Sequence, residues 1–376
     1  MNFELSDEQR MLQETLSRLL REQYPFETRQ KLLQSPQGFS RELWHRYAEL
    51  GILGVPFSDE VGGFGGGGIE LMLVAKALGR ALTLEPYLAT VVLGGTVLAT
   101  VDSQRARSLL EEVIAGQTLL AFAHWEPGER YNGAILSTHA QARDGGHVLS
   151  GHKAVVLHGQ DADRLIVSAM TREGVATEGI ALFLVDPRSP GVTVRGYTTI
   201  DGLRAAEIQL ESAPAELLAA PEQAAQAIDR AIGYGLVALC AEAVGAMEVI
   251  CELTLEYLKT RQQFGVPIGK FQALQHRMVD MVIRLEQSRS ITLLAAAHVD
   301  DTGIDRDRAL SAAKALIGKS GRFVAESAIQ LHGGIGMTWE YSMPHYAKRV
   351  VMIDHVLGDV DFHLDRFSSL MEVSAA

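Results

Sequence analysis

The chain has 376 residues, 47% of them hydrophobic and 21% charged, and a net charge of −12. That length favours two or three packed units over one core, and the composition is that of a globular protein. The acidic balance excludes a nucleic-acid partner held by its phosphates, yet leaves room for a polyanionic cofactor gripped by a few placed cations.

The N-terminal stretch has no basic region and no apolar run, so it does not read as a signal peptide, and no apolar run reaches membrane-spanning length. Cys240 and Cys251 lie three turns apart on one helical pattern, too far for a disulfide and without metal-type neighbours. A cytoplasmic, reducing location is expected.

Ser6, with Gln9 three residues later, predicts a capping box opening a first helix. A second helix is expected from Ser40 to Leu50, stopped by Gly51. The stretch VGGFGGGG (61–68) is glycine-rich. Without a following Lys-Ser/Thr it reads as an irregular connection, the alternative being a mobile loop or a backbone close to a ligand. Helical patterns run from Ile69 to Leu82 and continue to about Gly116. From about Leu119 the texture changes to short β-branched runs at 148–150, 154–157, 164–168, 179–185 and 192–194, separated by turn residues. Past Pro221 long helical patterns return: Ala224 to Thr260, Phe271 to His298, Asp305 to Leu331, and Ser342 to Ser369. Four long amphipathic helices with short links read as an antiparallel bundle. The fold class is mainly α with a β domain, divided as 1–118, 119–220 and 221–376. Strand and helix do not alternate, so no dinucleotide-binding α/β fold is expected.

Two C-terminal segments are the most informative: RQQFGVPIGKFQ (261–272) and QLHGGIGMT (330–338). With Leu5-Ser-Asp-Glu-Gln9, Pro56 before the Gly-Gly loop, Glu126-Pro-Gly128 and Gly151-His-Lys153, they give the chain a resemblance to the acyl-CoA dehydrogenase family over nearly its whole length. Within that family the runs LEPYLAT (84–90), ALCAEAVG (238–245) and YLKTRQQFG (257–265) are most similar to the small subunit of pimeloyl-CoA dehydrogenase-like enzymes. The resemblance implies an N-terminal helical domain, a middle β domain, a C-terminal four-helix bundle, and FAD-dependent α,β-dehydrogenation of an acyl-CoA thioester. It implies that Arg261 supplies a cation to the FAD pyrophosphate, suited to phosphate by its paired donors. Phe264 and Gln272 match contacts to the adenosine end. Gln330, Gly333 and Gly334 match the place where backbone N–H groups approach the pyrophosphate, which a Cβ would block. Taken singly, Arg261 also fits a solvated helix-end charge, and Gly333 and Gly334 a helix C-cap.

The same resemblance exposes losses. The chemistry needs a carboxylate base. Leu357-Gly358 stands where the family places its Glu-Gly, and a second family base position falls near Gly235. Glu242, two turns beyond Gly235 among apolar neighbours, is the replacement candidate; its alternative is a structural pair with a cation on another helix. Asp359 and Asp361 are weaker candidates. Trp125 stands at a flavin-contacting hydroxyl position, and Val155-Val-Leu-His158 replaces a segment that backs the flavin ring. The pattern predicts one subunit of a heteromer, a heterotetramer with a homologous chain that holds the base. Self-sufficient catalysis through Glu242, a homo-oligomer, and a non-catalytic scaffold remain as alternatives. Family analogy adds acyl-CoA as substrate and an electron-transfer flavoprotein as acceptor. No metal site and no membrane contact are expected.

Overall fold

The computed structural model describes residues 5–131, 133, 136–143, 146–171 and 179–373. The chain forms two compact units. One comprises Met1–Lys31, Gly67–Thr83 and Leu236–Ala376; the other comprises Leu32–Gly66 and Leu84–Gly235.

The first unit is helical. Helix α1 (Asp7–Gln23) opens on the expected capping box: the Ser6 hydroxyl accepts from the Gln9 N–H while Gln9 reaches back to the Ser6 N–H. Helix α4 (Gly68–Ala81) crosses α7 (Pro221–Thr260) at glycines: a Cβ on Gly79 would lie 2.1 Å from the Glu242 carbonyl oxygen, and one on Gly245 2.1 Å from that of Lys76. This backbone-on-backbone approach explains two glycines inside helices, where each weakens the helix by roughly 1 kcal/mol against Ala. Helices α8 (Gln272–His298) and α9 (Ile304–His332) follow.

The expected fourth bundle helix is broken. Helix α10 (Met343–Asp354) stops, and α11 (Val360–Val373) begins after a bend in which Leu357 has φ 59 and Gly358 φ 106. Periodicity ran through the break because the flanking helices keep apolar positions in phase. The bend is fixed by buried groups: Lys314 donates to the carbonyl oxygens of Asp354 (2.9 Å) and Gly358 (2.5 Å), and His363 donates to that of Leu357 (2.9 Å). The Lys314 ammonium thus takes one carbonyl at the end of α10 and one in the bend before α11. Burial draws its pKa down to about 8.

The second unit holds α2 (Phe26–Leu33) only at its C-terminal end; α3 (Arg41–Glu49), capped by Ser40, α5 (Thr96–Thr100) and α6 (Gln104–Ile114) lie wholly within it. The glycine-rich stretch is pinned rather than loose in its 63–66 part. The N–H groups of Gly63, Phe64, Gly65 and Gly66 donate to the carbonyls of Ser58, Gly54, Phe57 and Val55. A Cβ on Gly63 would meet the Phe57 carbonyl oxygen at 2.2 Å, so the glycine serves close packing.

Among the described residues the larger sheet has seven strands: β1 (Leu120–Ala123), β2 (His139–Arg143), β3 (Gly146–Leu157), β4 (Arg164–Thr171), β5 (Gly179–Val185), β6 (Val192–Thr198) and β7 (Arg204–Ala219). Pairings β4–β2, β2–β3, β3–β7, β7–β5 and β5–β4 return to their start, so five strands close a ring, with β1 added to β4 and β6 to β7. Closure removes edges and encloses a core that includes Leu149, Leu165, Val167, Phe183 and Ile208. The longest strand, β7, is absent from the sequence reading. Its alanines and Pro214 lack the β-branched signature, and its polar residues alternate with small ones.

Candidate functional site

Helix α7 ends at Thr260, and the chain turns through a two-strand hairpin, β8 (Gln262–Gln263) and β9 (Val266–Pro267), into α8. The two turn residues, Phe264 (φ 54) and Gly265 (φ 79), both have left-handed backbones, as a type I′ turn requires. For Phe264 that conformation costs about 1 kcal/mol, and its ring is 91% exposed. A strained turn that presents a bare aromatic ring gives no packing return to the fold. The ring lies T-shaped to Phe271, at 6.0 Å between centroids.

Arg261, beside this turn, is exposed, and its guanidinium makes no ion pair or hydrogen bond among the described residues. Gln272, at the start of α8, and Gln330, near the end of α9, are also exposed. Helix α9 ends at Gly333 (φ 63), whose N–H donates to Ile329. A Cβ on Gly333 or Gly334 would meet nothing within 4 Å. Gly334 is therefore not required by neighbouring packing, whereas Gly333 also meets the backbone need of a C-cap. All six side chains or backbones expected to hold a cofactor thus face away from the core. A pyrophosphate fits this donor set: an uncommitted guanidinium, amide side chains, and backbone unshielded by any Cβ.

The replacement base candidate is differently placed. Both oxygens of Glu242 are engaged by buried Arg349, at 2.6 Å (Oε1 to Nε) and 2.8 Å (Oε2 to the guanidinium). This bidentate pair joins α7 to α10 and is the arrangement of a structural ion pair, with no lone carboxylate aimed at open space. Leu357 is buried, and Gly235 lies buried within α7. Asp359 caps α11, its Oδ1 accepting from the Phe362 N–H at 3.0 Å.

The strand region carries a network that sequence reasoning noticed only as separate motifs. Lys153, fully buried, donates to Glu126 Oε1 (2.7 Å), the His124 carbonyl (3.0 Å) and Ser168 Oγ (3.3 Å). Glu126 also accepts from the N–H groups of Ser137 and Thr138 and from the Ser137 hydroxyl. Despite its burial, these donors hold the Glu126 carboxyl down at about 2. Burial, reinforced by the Lys153 charge, pushes the His124 imidazole down to about 3, so it is neutral. The network fixes the run from His124 to Glu126, and the Trp125 carbonyl accepts from the Ala154 N–H. Next to it Val155 has φ 51, an unusual value for a β-branched residue, and is exposed. The segment matched to the family's flavin-backing one therefore carries a bulge between Lys153 and Val156 and presents a small side chain.

Cys240 and Cys251 are free and buried, and burial raises both thiols to about 12, so neither is a thiolate nucleophile at neutral pH. Among the described residues no three His, Cys, Asp or Glu side chains converge as metal ligands, and no helix is long and apolar enough to cross a membrane.

Three family models match the chain: the acyl-CoA dehydrogenase N-terminal domain over residues 6–117, its middle domain over 121–213 and its C-terminal domain over 225–366. The chain belongs to the acyl-CoA dehydrogenase family, whose members are oxidoreductases. A probable acyl-CoA dehydrogenase of Bacillus subtilis, YngJ, is 29% identical, covering 94% of this chain and 95% of the relative. The structure of the ChsE4-ChsE5 complex from Mycobacterium tuberculosis is 26% identical with a TM-score of 0.89, covering 99% of each chain. The structure of PigA with FAD and proline is 25% identical with a TM-score of 0.90, covering the whole of both chains.

Proposed function

We propose that this chain is a subunit of an FAD-dependent acyl-CoA dehydrogenase that completes a flavin site in a heteromer, with the catalytic base supplied by a homologous partner chain. The observation that carries the reading is the contrast within one unit. The Arg261 guanidinium, matched to pyrophosphate binding, is exposed and uncommitted among the described residues, while Glu242, the foremost base candidate in the bundle, is committed to Arg349. Arg261, Gln330 and the backbone at Gly333 and Gly334 would hold the pyrophosphate, with Phe264 and Gln272 toward the adenosine. When bound, FAD accepts the hydride removed from the acyl thioester. This chain's own part is to bind and orient the cofactor's distal end; it places no free carboxylate at Leu357 or Gly235 to take the α proton.

The flavin assignment is supported by family membership and by the likeness to a protein solved with FAD. The heteromeric assignment is supported by the two-component complex among the similar structures. The pimeloyl-CoA dehydrogenase-like subgroup, the three-domain division at 118/119 and 220/221, an electron-transfer flavoprotein as acceptor and a cytoplasmic location belong to the same reading.

The test is co-purification with a homologous acyl-CoA dehydrogenase chain, followed by FAD content and turnover of each chain alone and together. Stoichiometric FAD and turnover only in the mixture are expected. Full flavin occupancy and turnover by this chain alone would sink the heteromer.

A further inference from the structure

We propose that His332 is a positioning residue for the cofactor: it locks the Arg261 turn and the Gly333–Gly334 turn into one fixed relation. This rests on the FAD reading above and adds a residue to it.

The two segments come from different helices, so a rigid cradle needs a physical link between them. Tyr257 and Arg261 share the last turn of α7, the Arg261 N–H donating to the Tyr257 carbonyl at 2.9 Å. His332 is the final residue of α9, directly before Gly333. The imidazole stacks on the Tyr257 ring, with 4.6 Å between centroids and 27° between planes. Tyr341, in the link to α10, also lies against it, with 5.3 Å between centroids and 50° between planes.

The ring is also held in its own plane. His332 Nδ1 donates to the Ala328 carbonyl at 2.8 Å, which fixes the proton on that nitrogen in the neutral ring. Nε2 is then an acceptor for the Tyr341 hydroxyl at 3.2 Å. Burial lowers the imidazole pKa, consistent with the neutral form. The chain after Gly333 folds back on this residue: a Cβ on Gly336 would come 3.0 Å from His332 Cβ. Both ends of the Gly-Gly turn are thus referenced to one residue, whose ring is stacked on Tyr257, one turn before Arg261. Arg261 and the open backbone at Gly333 and Gly334 can then meet one rigid dianion together, because their separation is set before it binds.

A core histidine that only packs would make the same contacts, so the test must read coupling. The flavinated heteromer is prepared as wild type, His332→Ala, Arg261→Ala and the double variant, and the rate of FAD release is followed by the rise in flavin fluorescence. Visible circular dichroism of bound FAD reports its setting. His332→Ala is expected to speed release by roughly tenfold or more, the scale of loss for a displaced binding group. The double variant should release FAD little faster than Arg261→Ala alone, because both changes disable one cradle. His332→Phe, which keeps the ring, should recover most of the retention, and Tyr257→Ala should repeat the coupling if His332→Ala fails to fold. Wild-type retention in His332→Ala, or losses that multiply in the double variant, overturns the proposal. A wild-type complex without FAD overturns the cofactor reading, and this inference falls with it; a flavinated wild type with an uncoupled His332 overturns this inference alone.

Discussion

Lys153 and Arg261 are both cations set among residues the family resemblance singled out, and the structure treats them in opposite ways. Lys153 is enclosed, with Glu126, the His124 carbonyl and Ser168 around its ammonium. Arg261 is exposed, and its guanidinium is uncommitted among the described residues. A buried charge must be matched inside the protein, or the fold carries a large desolvation penalty. An exposed charge on a helix end contributes little to stability and stays available for a ligand. The first group therefore belongs to the architecture of the strand unit, and the second, on the proposed reading, to recognition. Glu242 falls on the architectural side, although its family context suggested chemistry.

This division can be broken most sharply at Lys153. Lys153→Met leaves the Glu126 carboxylate buried without its cation, and denaturant unfolding should show a loss of about 3–5 kcal/mol. A loss below about 1 kcal/mol would remove the network from its architectural role.

Glu242→Gln comes next. It keeps the shape but weakens a charged pair to a neutral hydrogen bond, for a cost of about 1–3 kcal/mol. Turnover per folded heteromer should stay unchanged. Abolished turnover in a stably folded protein would restore Glu242 as a base.

Acid titration sharpens the same contrast. The Glu126 carboxyl sits at about 2 in the folded protein, against an ordinary value of 4.5. Between those values the unfolded chain binds more protons than the folded one, so stability is present above pH 4.5 and drains as the pH falls toward 2. Unfolding followed against pH should show this acid limb, and Lys153→Met should flatten it.

The smallest stability effect belongs to Arg261→Ala, within about 0.5 kcal/mol. Its effect on cofactor affinity should be at least tenfold, since a hydrogen bond to a charged group contributes about 1.5–3 kcal/mol. Equilibrium FAD binding to the heteromer measures it. A large fall in stability with unchanged flavin affinity would reverse the assignment of this residue.

Much of the fold was legible in local chemistry. The Ser6–Gln9 box, the Ser40 cap and the long bundle helices follow from side chains acting within one or two turns. Strand β7 was not legible, because its alanines and Pro214 are accepted only through pairing with β3, β5 and β6. The break at 355–359 was hidden for a similar reason: it is imposed by Lys314 and by His363, each bonded to backbone carbonyls of the bend. At the candidate site, the segments around Arg261 and Gly333 were legible through their resemblance to two short family motifs. Nothing local showed that Tyr257 and His332 would stack.

The sequence by itself determined the family, the helical and strand regions, and the two segments matched to FAD, because those rest on periodicity, capping and short motifs. Tertiary structure decided which charged groups are committed. It gave Glu242 to Arg349, joined Glu126 to Lys153, and left Arg261 open. The physical reason is that a side chain's ion pair and its burial depend on what distant segments bring to it, and residue spacing along the chain does not contain that information.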